Sequence, residues 1–228
     1  MKKHFITFLL FTCIIGVATV APAESSFSQR LNDKIQEAVA NNLTNAYGTP
    51  LAIELARQGD IPALRDLVKE NPSMELHRIH DKYGNNLLHV ARNIKTIQAI
   101  SSMIREADPA DVTQHISALV NERNLYGETP LMTQIDNGHT DTFRSLYALS
   151  DLKKVNDMAK NHLARLQGSD PRIIAQNKAI YAKQIRELAS DNAGRTILQA
   201  AQTQVPYHPH MASLAQRIAQ VIPCLAEN

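Results

Sequence analysis

The sequence predicts an all-α protein, and three observations support this class. A short run of a turn glycine, a helix-capping residue and an apolar or proline residue recurs along the chain, and apolar positions at helical spacing follow it. No segment alternates apolar and polar residues at period two, so strands are not expected. Glycines and prolines separate the helical segments and do not form low-complexity tracts. These patterns predict short helices joined by tight turns.

The clearest copy of the run is Gly127-Glu128-Thr129-Pro130-Leu131. Gly127 permits the positive φ of a tight turn, Thr129 can cap a helix, and Pro130 lacks an N–H where none is needed. A helix should therefore begin at Thr129 and end at Asn137-Gly138, a natural left-handed terminus. A second helix should follow, with apolar positions at Phe143, Leu146 and Leu149.

Weaker copies lie before and after this one. Residues 47–51 read Tyr-Gly-Thr-Pro-Leu and open a helix that should end at Gly59-Asp60. Residues 81–91 contain a turn glycine, the capping residue Asn86 and then Leu-His-Val-Ala. Residues 192–201 again contain the glycine and a capping threonine. Each copy therefore predicts a turn, a short helix, a second turn and a longer helix.

These strings resemble the ankyrin repeat, whose signature is Asp-x-x-Gly-x-Thr-Pro-Leu-His-x-Ala followed by Gly-His or Gly-Asp, with a period of about 33 residues. The resemblance implies an ankyrin-repeat α-solenoid of about five helix pairs with β-turn connections and an N-terminal capping helix. It also implies that His89 and His139 make hydrogen bonds that tie one repeat's turn to the next, so neither is needed as a general base.

The spacing of the turn glycines tests this interpretation. Gly84 follows Gly48 by 36 residues, Gly127 follows Gly84 by 43, and Gly194 follows Gly127 by 67. The last interval is close to two periods, so a further repeat with two amphipathic helices is expected at about residues 151–190. The interval of 43 residues predicts an insertion of roughly ten residues between Gly84 and Gly127.

The predicted organisation is a signal peptide at residues 1–23, a capping helix at 24–46 and an ankyrin-repeat domain at 47–228. Asp108-Pro109 should begin the extra helical turns of the inserted segment. The repeats are expected at about 47–80, 81–122, 123–150, 151–190 and 191–222.

The N-terminus has the three parts of a secretory signal. Residues 1–4 are basic, residues 5–20 are almost wholly apolar, and Ala21-Pro22-Ala23 supplies small residues before a cut at Glu24. An uncleaved membrane anchor is the alternative, since the apolar run is near the lower limit of a spanning helix. A lipoprotein signal fits less well, because Cys13 lies in the middle of the run. The expected location is periplasmic or secreted.

Charge and cysteine content exclude several partners. The full chain has a formal net charge of +2, and removal of Lys2 and Lys3 leaves about zero. Nucleic acid is therefore not expected as a partner, and no membrane contact is expected after signal cleavage. Cys224 alone remains, so the monomer expected here has no disulfide. Cys224 is interpreted as a small terminal residue, with intermolecular pairing or a redox role as the alternative.

Catalytic and metal-binding patterns are sparse. The close histidine pairs are His77 with His80 and His208 with His210, and neither has Cys, Asp or Glu at zinc-ligand spacing. Both pairs are interpreted as solvated loop histidines. The chain has no Gly-x-Ser-x-Gly turn, no phosphate-binding glycine loop and no His-Glu-x-x-His. No enzyme activity, cofactor or metal is therefore expected.

A partner surface is predicted at the turn tips and on the outward face of the first helices. Tyr83 and Tyr126 occupy matching turn positions, where tyrosine suits an interface anchor. The alternative is that each ring packs on the neighbouring turn. The predicted surface residues are Asp81, Lys82, Tyr83, Arg123, Asn124, Leu125, Tyr126, Gln134 and Asp136.

Three functions fit these observations. The first is an exported ankyrin-repeat scaffold that binds another protein in the bacterial periplasm or envelope. The second is a secreted effector of a host-associated bacterium that binds a host protein. The third is an enzyme or a metal-binding protein that uses the histidine pairs. The signal peptide favours the first function over the second, because it delivers the chain only across the inner membrane.

Overall fold

The structure, a computed structural model, describes residues 49–226, which are all-helical and contain no β-strand. The predicted signal peptide, with its cleavage site, and the predicted capping helix lie outside the described residues. No helix within the described part is long and apolar enough to cross a membrane. The eleven α-helices of this part are α1 Leu51–Gln58, α2 Ile61–Glu70, α3 Leu87–Val90, α4 Ile94–Ala107, α5 Val112–Asn121, α6 Pro130–Asp136, α7 Thr140–Leu149, α8 Asp151–Arg165, α9 Pro171–Leu188, α10 Ile197–Gln204 and α11 Met211–Val221.

The side-chain caps predicted from the sequence are present at the starts of four helices. The side chains of Asn86, Thr129 and Thr196 accept backbone N–H hydrogen bonds at the starts of α3, α6 and α10. Asp60 does the same for α2, and Gly138 after α6 has a φ of 74°. The helix predicted from Thr129 to Gly138 is therefore confirmed as α6. At these four starts a short polar side chain accepts from N–H groups that have no partner within the helix. After α6, Gly138 allows the left-handed conformation in which the helix ends.

Four short helices, α1, α3, α6 and α10, contact one another in that order. Each packs against the longer helix that follows it, namely α2, α4, α7 and α11. Apolar side chains from both layers form one continuous core. Fully buried members of this core include Ile53, Leu64, Leu88, Ile100, Leu131, Leu146 and Ile197.

Helix α5 is the predicted insertion between the second and third pairs. It buries Leu119 and Val120 and contacts α3, α4, α6 and α7. The expected helical turns through Val112 and Ile116 are therefore present.

Helices α8 and α9 also form as the sequence predicts, but their place in the fold differs from the expectation. The last turn, residues 191–195, adjoins the turn at residues 124–128, because Asn192 N donates a hydrogen bond to Tyr126 O at 3.1 Å. Helices α8 and α9 pair with each other and do not separate α6 from α10. The interval of 67 residues is thus one repeat plus an inserted helical hairpin, which has the same length as two repeats.

This inserted pair, residues 151–188, is called the α8–α9 hairpin. Asp151 N donates to Asn121 Oδ1 at 2.8 Å, which fixes the start of α8. Asn156 Nδ2 donates to Tyr147 Oη at 2.8 Å and to Val221 O at 2.9 Å. Buried polar groups thus attach the first half of α8 to the core, whereas α9 buries only Ile185 among its 18 residues.

Candidate interaction surface at the turn tips

Three turns with the same hydrogen bonds present their tips side by side. The side-chain oxygens of Asp81, Asn124 and Asp191 each accept from the N–H groups two and four positions later, at 2.9–3.0 Å. The glycine three positions after each has a φ between 75° and 78°. The side-chain acceptor and the left-handed glycine stabilise each turn through contacts within the turn itself.

Backbone hydrogen bonds join the three turns in a row. Leu125 N donates to Tyr83 O at 3.0 Å, and Asn192 N donates to Tyr126 O at 3.1 Å. Asn124 Nδ2 adds a bond to Asn85 Oδ1 at 2.9 Å. Each tip is therefore held by its own turn and by its neighbour.

The two tyrosines lie next to each other on this row. Their ring centroids are 6.4 Å apart with an interplanar angle of 29°. Tyr83 is 43% exposed, Tyr126 58% and Leu125 70%. The ammonium of Lys82 lies 5.1 Å from the centroid of the Tyr83 ring. Each ring therefore packs against the ring of the neighbouring turn, as the packing alternative predicts, and remains about half exposed, while the role as an interface anchor stays a prediction. We call Tyr83, Leu125 and Tyr126 the turn-tip ridge.

Asp81 has only 4% of its side chain exposed, because this side chain builds its turn, so its prediction as a partner contact is wrong. Two further predicted surface residues lie inside the protein. Gln134 is fully buried, and its Nε2 donates to His89 O at 2.7 Å and Leu88 O at 3.3 Å. Asn124 is 7% exposed because its side chain builds the turn. The prediction of these two as partner contacts is wrong, since Gln134 satisfies carbonyls of the preceding short helix and cannot reach solvent.

Arg123 and Asp136 are accessible but have intramolecular roles. The Arg123 guanidinium donates to the carbonyl of Glu187 at 2.8 Å and to the carbonyls of Ser190 and Gly127. It therefore satisfies free carbonyls at the C-terminal end of α9, where a cation is favoured. Asp136 is an ion-pair partner of Arg195.

Arg195 joins the last two turns through three carboxylates. Its guanidinium donates to both oxygens of Asp136, at 2.9 and 2.6 Å, to Asp191 Oδ2 at 3.0 Å and to Glu128 Oε1 at 3.3 Å. The side chains of these acids are 7–19% exposed, and that of Arg195 is 34% exposed. We call these four residues the Arg195 cluster.

Burial and charge shift the titrations of this cluster. Burial, with a further contribution from Asp136, raises the pKa of Glu128. Burial would also raise the pKa of Asp191, but hydrogen bonds from Arg195 outweigh it and lower that pKa. Burial would lower the pKa of Arg195, and its bonds to Asp136 and Asp191 raise it instead. The guanidinium therefore compensates acids that would otherwise repel one another.

The motif histidines have structural partners. His89 is fully buried, and its Nε2 lies 3.0 Å from Glu128 O in the next turn, as the resemblance implies. Burial lowers the pKa of His89 to about 4. His139 Nδ1 lies 2.8 Å from Gln134 Oε1, which belongs to its own helix pair. Both rings therefore position backbone and amide groups.

Of the two histidine pairs, the first is less solvated than expected, whereas His210 of the second is exposed. His80 lies 2.9 Å from Glu122 Oε2, and this hydrogen bond raises the pKa of His80. His77 stacks on His115 with ring centroids 3.8 Å apart. The interpretation of His77 and His80 as solvated loop residues is wrong, because helix α5 covers that loop and supplies His115. His210 Nε2 lies 3.1 Å from Gly138 O.

Two spaces and the arrangement of possible metal ligands can be described in this part of the chain. No group of three or more His, Cys, Asp or Glu residues in this part is arranged to hold a metal ion. A groove of about 290 Å³ between α10 and α11 is lined by alanine, glutamine and leucine only. A cavity of about 40 Å³ where the hairpin joins the core has room for about one water molecule. Neither space presents convergent catalytic groups.

Comparison with known proteins does not assign this surface. No protein-family model matches the chain. No curated protein matches it either.

Proposed function

We propose that this chain is an exported ankyrin-type repeat scaffold that binds another protein through the turn-tip ridge, in the bacterial periplasm or envelope. The observation that carries the proposal is the exposure of Tyr83, Leu125 and Tyr126 on turns held in fixed positions. Three large apolar side chains at adjacent tips form a patch of the kind that marks interaction sites.

Two features support the ankyrin-type arrangement. Helix pairs follow one another with their short helices in one row, and each tip is hydrogen bonded to the next. His89 reaches the carbonyl of Glu128 in the following turn, which is the contact that the ankyrin signature implies for its histidine. The turn residues and His89 occupy different positions of the motif, so these two features support the arrangement independently.

The ridge is suited to binding because it would lose little conformational entropy when a partner binds. Its backbone is fixed by the turns, and a tyrosine ring loses few rotamers on burial. The two rings and Leu125 offer apolar area, while the tyrosine hydroxyls and Lys82 offer hydrogen bonds at the edge. A partner should present an apolar patch with acceptor groups around it.

A photoreactive residue tests the proposal directly. Benzoylphenylalanine at Leu125 should form a covalent adduct with an envelope protein in living cells, whereas the same residue at Tyr207 should not. Tyr207 is the matched control because it is 76% exposed and lies outside the ridge. Equal labelling at the two positions, or no adduct at Leu125, would rule out the ridge as the binding site.

Alanine variants separate binding from stability. Tyr83→Ala with Tyr126→Ala should abolish capture of the partner and cost only about 1 kcal/mol of unfolding free energy, since both rings are half exposed. Unchanged capture with a large loss of stability would mean that the rings serve the fold alone.

Export has its own test. The isolated protein should begin at Glu24 and be released from cells by osmotic shock. Replacing Ala21 and Ala23 with bulky charged residues should block cleavage, because signal peptidase accepts only small side chains there. Recovery of soluble cytoplasmic protein that begins at Met1 would overturn the proposed compartment.

A further inference from the structure

The α8–α9 hairpin differs in charge from the rest of the described chain. Residues 151–188 contain eight Lys and Arg but four Asp and Glu. The remaining described residues, 49–150 and 189–226, contain twelve Lys and Arg but fourteen Asp and Glu. The formal net charge of +2 for the full chain therefore averages over a basic hairpin and a slightly acidic remainder.

The same hairpin exposes aliphatic side chains. Ile173 and Ile180 of α9 are 47% and 56% exposed, and Met158 of α8 is 55% exposed. The two isoleucines are seven residues apart, so they lie within about 20° of each other around the helix. Arg172 and Lys183 lie on the adjoining solvent-facing side, about 80° away, and Glu187, whose Oε1 lies 3.9 Å from Lys183 Nζ, lies between them and the isoleucines. One exposed face of α9 thus combines two isoleucines, two cations and one carboxylate.

We propose that this face of α9 rests on an anionic lipid bilayer. Ile173 and Ile180 would enter the boundary between headgroups and acyl chains, while Arg172 and Lys183 pair with lipid phosphates. The contact is peripheral, since α9 is too polar to span a bilayer. The sequence predicted no membrane contact after signal cleavage, and the face proposed here departs from that expectation.

The side chains favour lipid over other polyanions. A nucleic acid is held by aromatic rings that stack on bases, but the ring in the middle of α9, Tyr181, is half-buried with its hydroxyl 2.9 Å from His162 Nδ1. An acidic protein would need a pocket shaped for the two isoleucines. A bilayer accepts aliphatic side chains without such a pocket.

A single tryptophan can report this contact, because the chain has none. Ile180→Trp, in the chain as recovered from expressing cells, should show blue-shifted emission with vesicles of equimolar phosphatidylcholine and phosphatidylglycerol. It should show no shift with phosphatidylcholine alone. Tyr207→Trp is the matched control and should not shift with either vesicle. Equal shifts with both vesicles, or none with the anionic one, would overturn the proposal.

Charge variants measure the electrostatic part without a reporter. Arg172→Gln with Lys183→Gln should lower the partition onto anionic vesicles about 30-fold, since each basic residue near the surface contributes roughly fivefold. Lys69→Gln with Arg105→Gln removes two exposed cations from α2 and α4 and should change it less than about threefold.

Two further measurements complete the test. Ile173→Ser with Ile180→Ser should lower the partition about tenfold, with unchanged helicity by circular dichroism. Single-stranded DNA should bind much more weakly than the anionic vesicles. Equal losses from the two charge pairs, or DNA binding as tight as vesicle binding, would refute a lipid-specific face.

Discussion

Removal of the Arg195 guanidinium should destabilise the protein by about 2 kcal/mol at neutral pH. Arg195 makes four charge-assisted hydrogen bonds, two of them the bidentate pair with Asp136. Buried bonds of this kind contribute about 1.5–3 kcal/mol each, whereas exposed ion pairs contribute at most about 1 kcal/mol. Because the guanidinium is one-third exposed, solvent screens the cluster and the total falls well below the buried sum.

The cost of Arg195→Ala should depend on pH in a defined direction. The lowered pKa of Asp191 means that its stabilising contribution is present above its ordinary pKa of 3.8 and disappears as pH falls through its folded value. The raised pKa of Glu128 means that its ionisation destabilises the fold as pH rises through 4.5, and Arg195 offsets this. The Asp191 contribution is still present at pH 4, so the Glu128 effect is what makes the substitution more costly at neutral pH than near pH 4.

Urea unfolding followed by circular dichroism measures this cost at the two pH values. Arg195→Lys should recover about half of it, since lysine keeps the charge but cannot bind Asp136 through two parallel bonds. Arg217→Ala, at an exposed position on α11, is the control and should cost less than about 0.5 kcal/mol. A loss below that value for Arg195→Ala, or a loss equal at both pH values, would refute the reasoning.

Three further predictions concern the turns and the hairpin. Gly194→Ala should lower the free energy of unfolding by about 1 kcal/mol through its positive φ alone. Gly127→Ala should lower it several times more, because the added Cβ would lie 2.7 Å from Asn192 N. Equal losses for the two variants, measured by urea unfolding, would contradict this. The buried His89 ring stays neutral in the folded protein down to about pH 4 but becomes protonated in the unfolded chain below pH 6.5. The free energy of unfolding should therefore fall by about 3 kcal/mol as pH drops from 6.5 to about 4. His89→Gln should flatten this pH dependence, and an unchanged slope would contradict the prediction. Amides of α8 and α9 should exchange faster than those of α6, since α9 buries one side chain; equal or stronger protection in the hairpin would contradict it.

The sequence predicted the local structure well where a helix start has its own capping residue. Asn86, Thr129 and Thr196 cap helices through bonds to neighbouring N–H groups, and such bonds depend only on nearby residues. The turn tyrosines were also identified, because matching positions in a repeated motif lie side by side. All three residues of the turn-tip ridge could therefore be placed from motif alignment alone.

What the sequence could not predict is which turns are neighbours. Glu128 and Arg195 occupy the same position in their motifs, between the glycine and the capping threonine. Opposite charges at that position would have indicated an ion pair, had the two turns been known to adjoin. Glycine spacing cannot distinguish an inserted hairpin from a repeat of equal length. The burial of Gln134 was missed for a related reason, since the helix face that it occupies is set by the preceding repeat.

The hydrogen bond from Asn192 N to Tyr126 O also bears on how the chain folds. Most contacts in a repeat array are local in sequence, and loop closure then costs little entropy. Here the third and last turns meet across the whole hairpin, so their interface raises the contact order and should form late. A chain that emerges from the ribosome N-terminus first would complete its first three helix pairs early. The final pair would dock last and leave the outer side of α6 open to proteases until then.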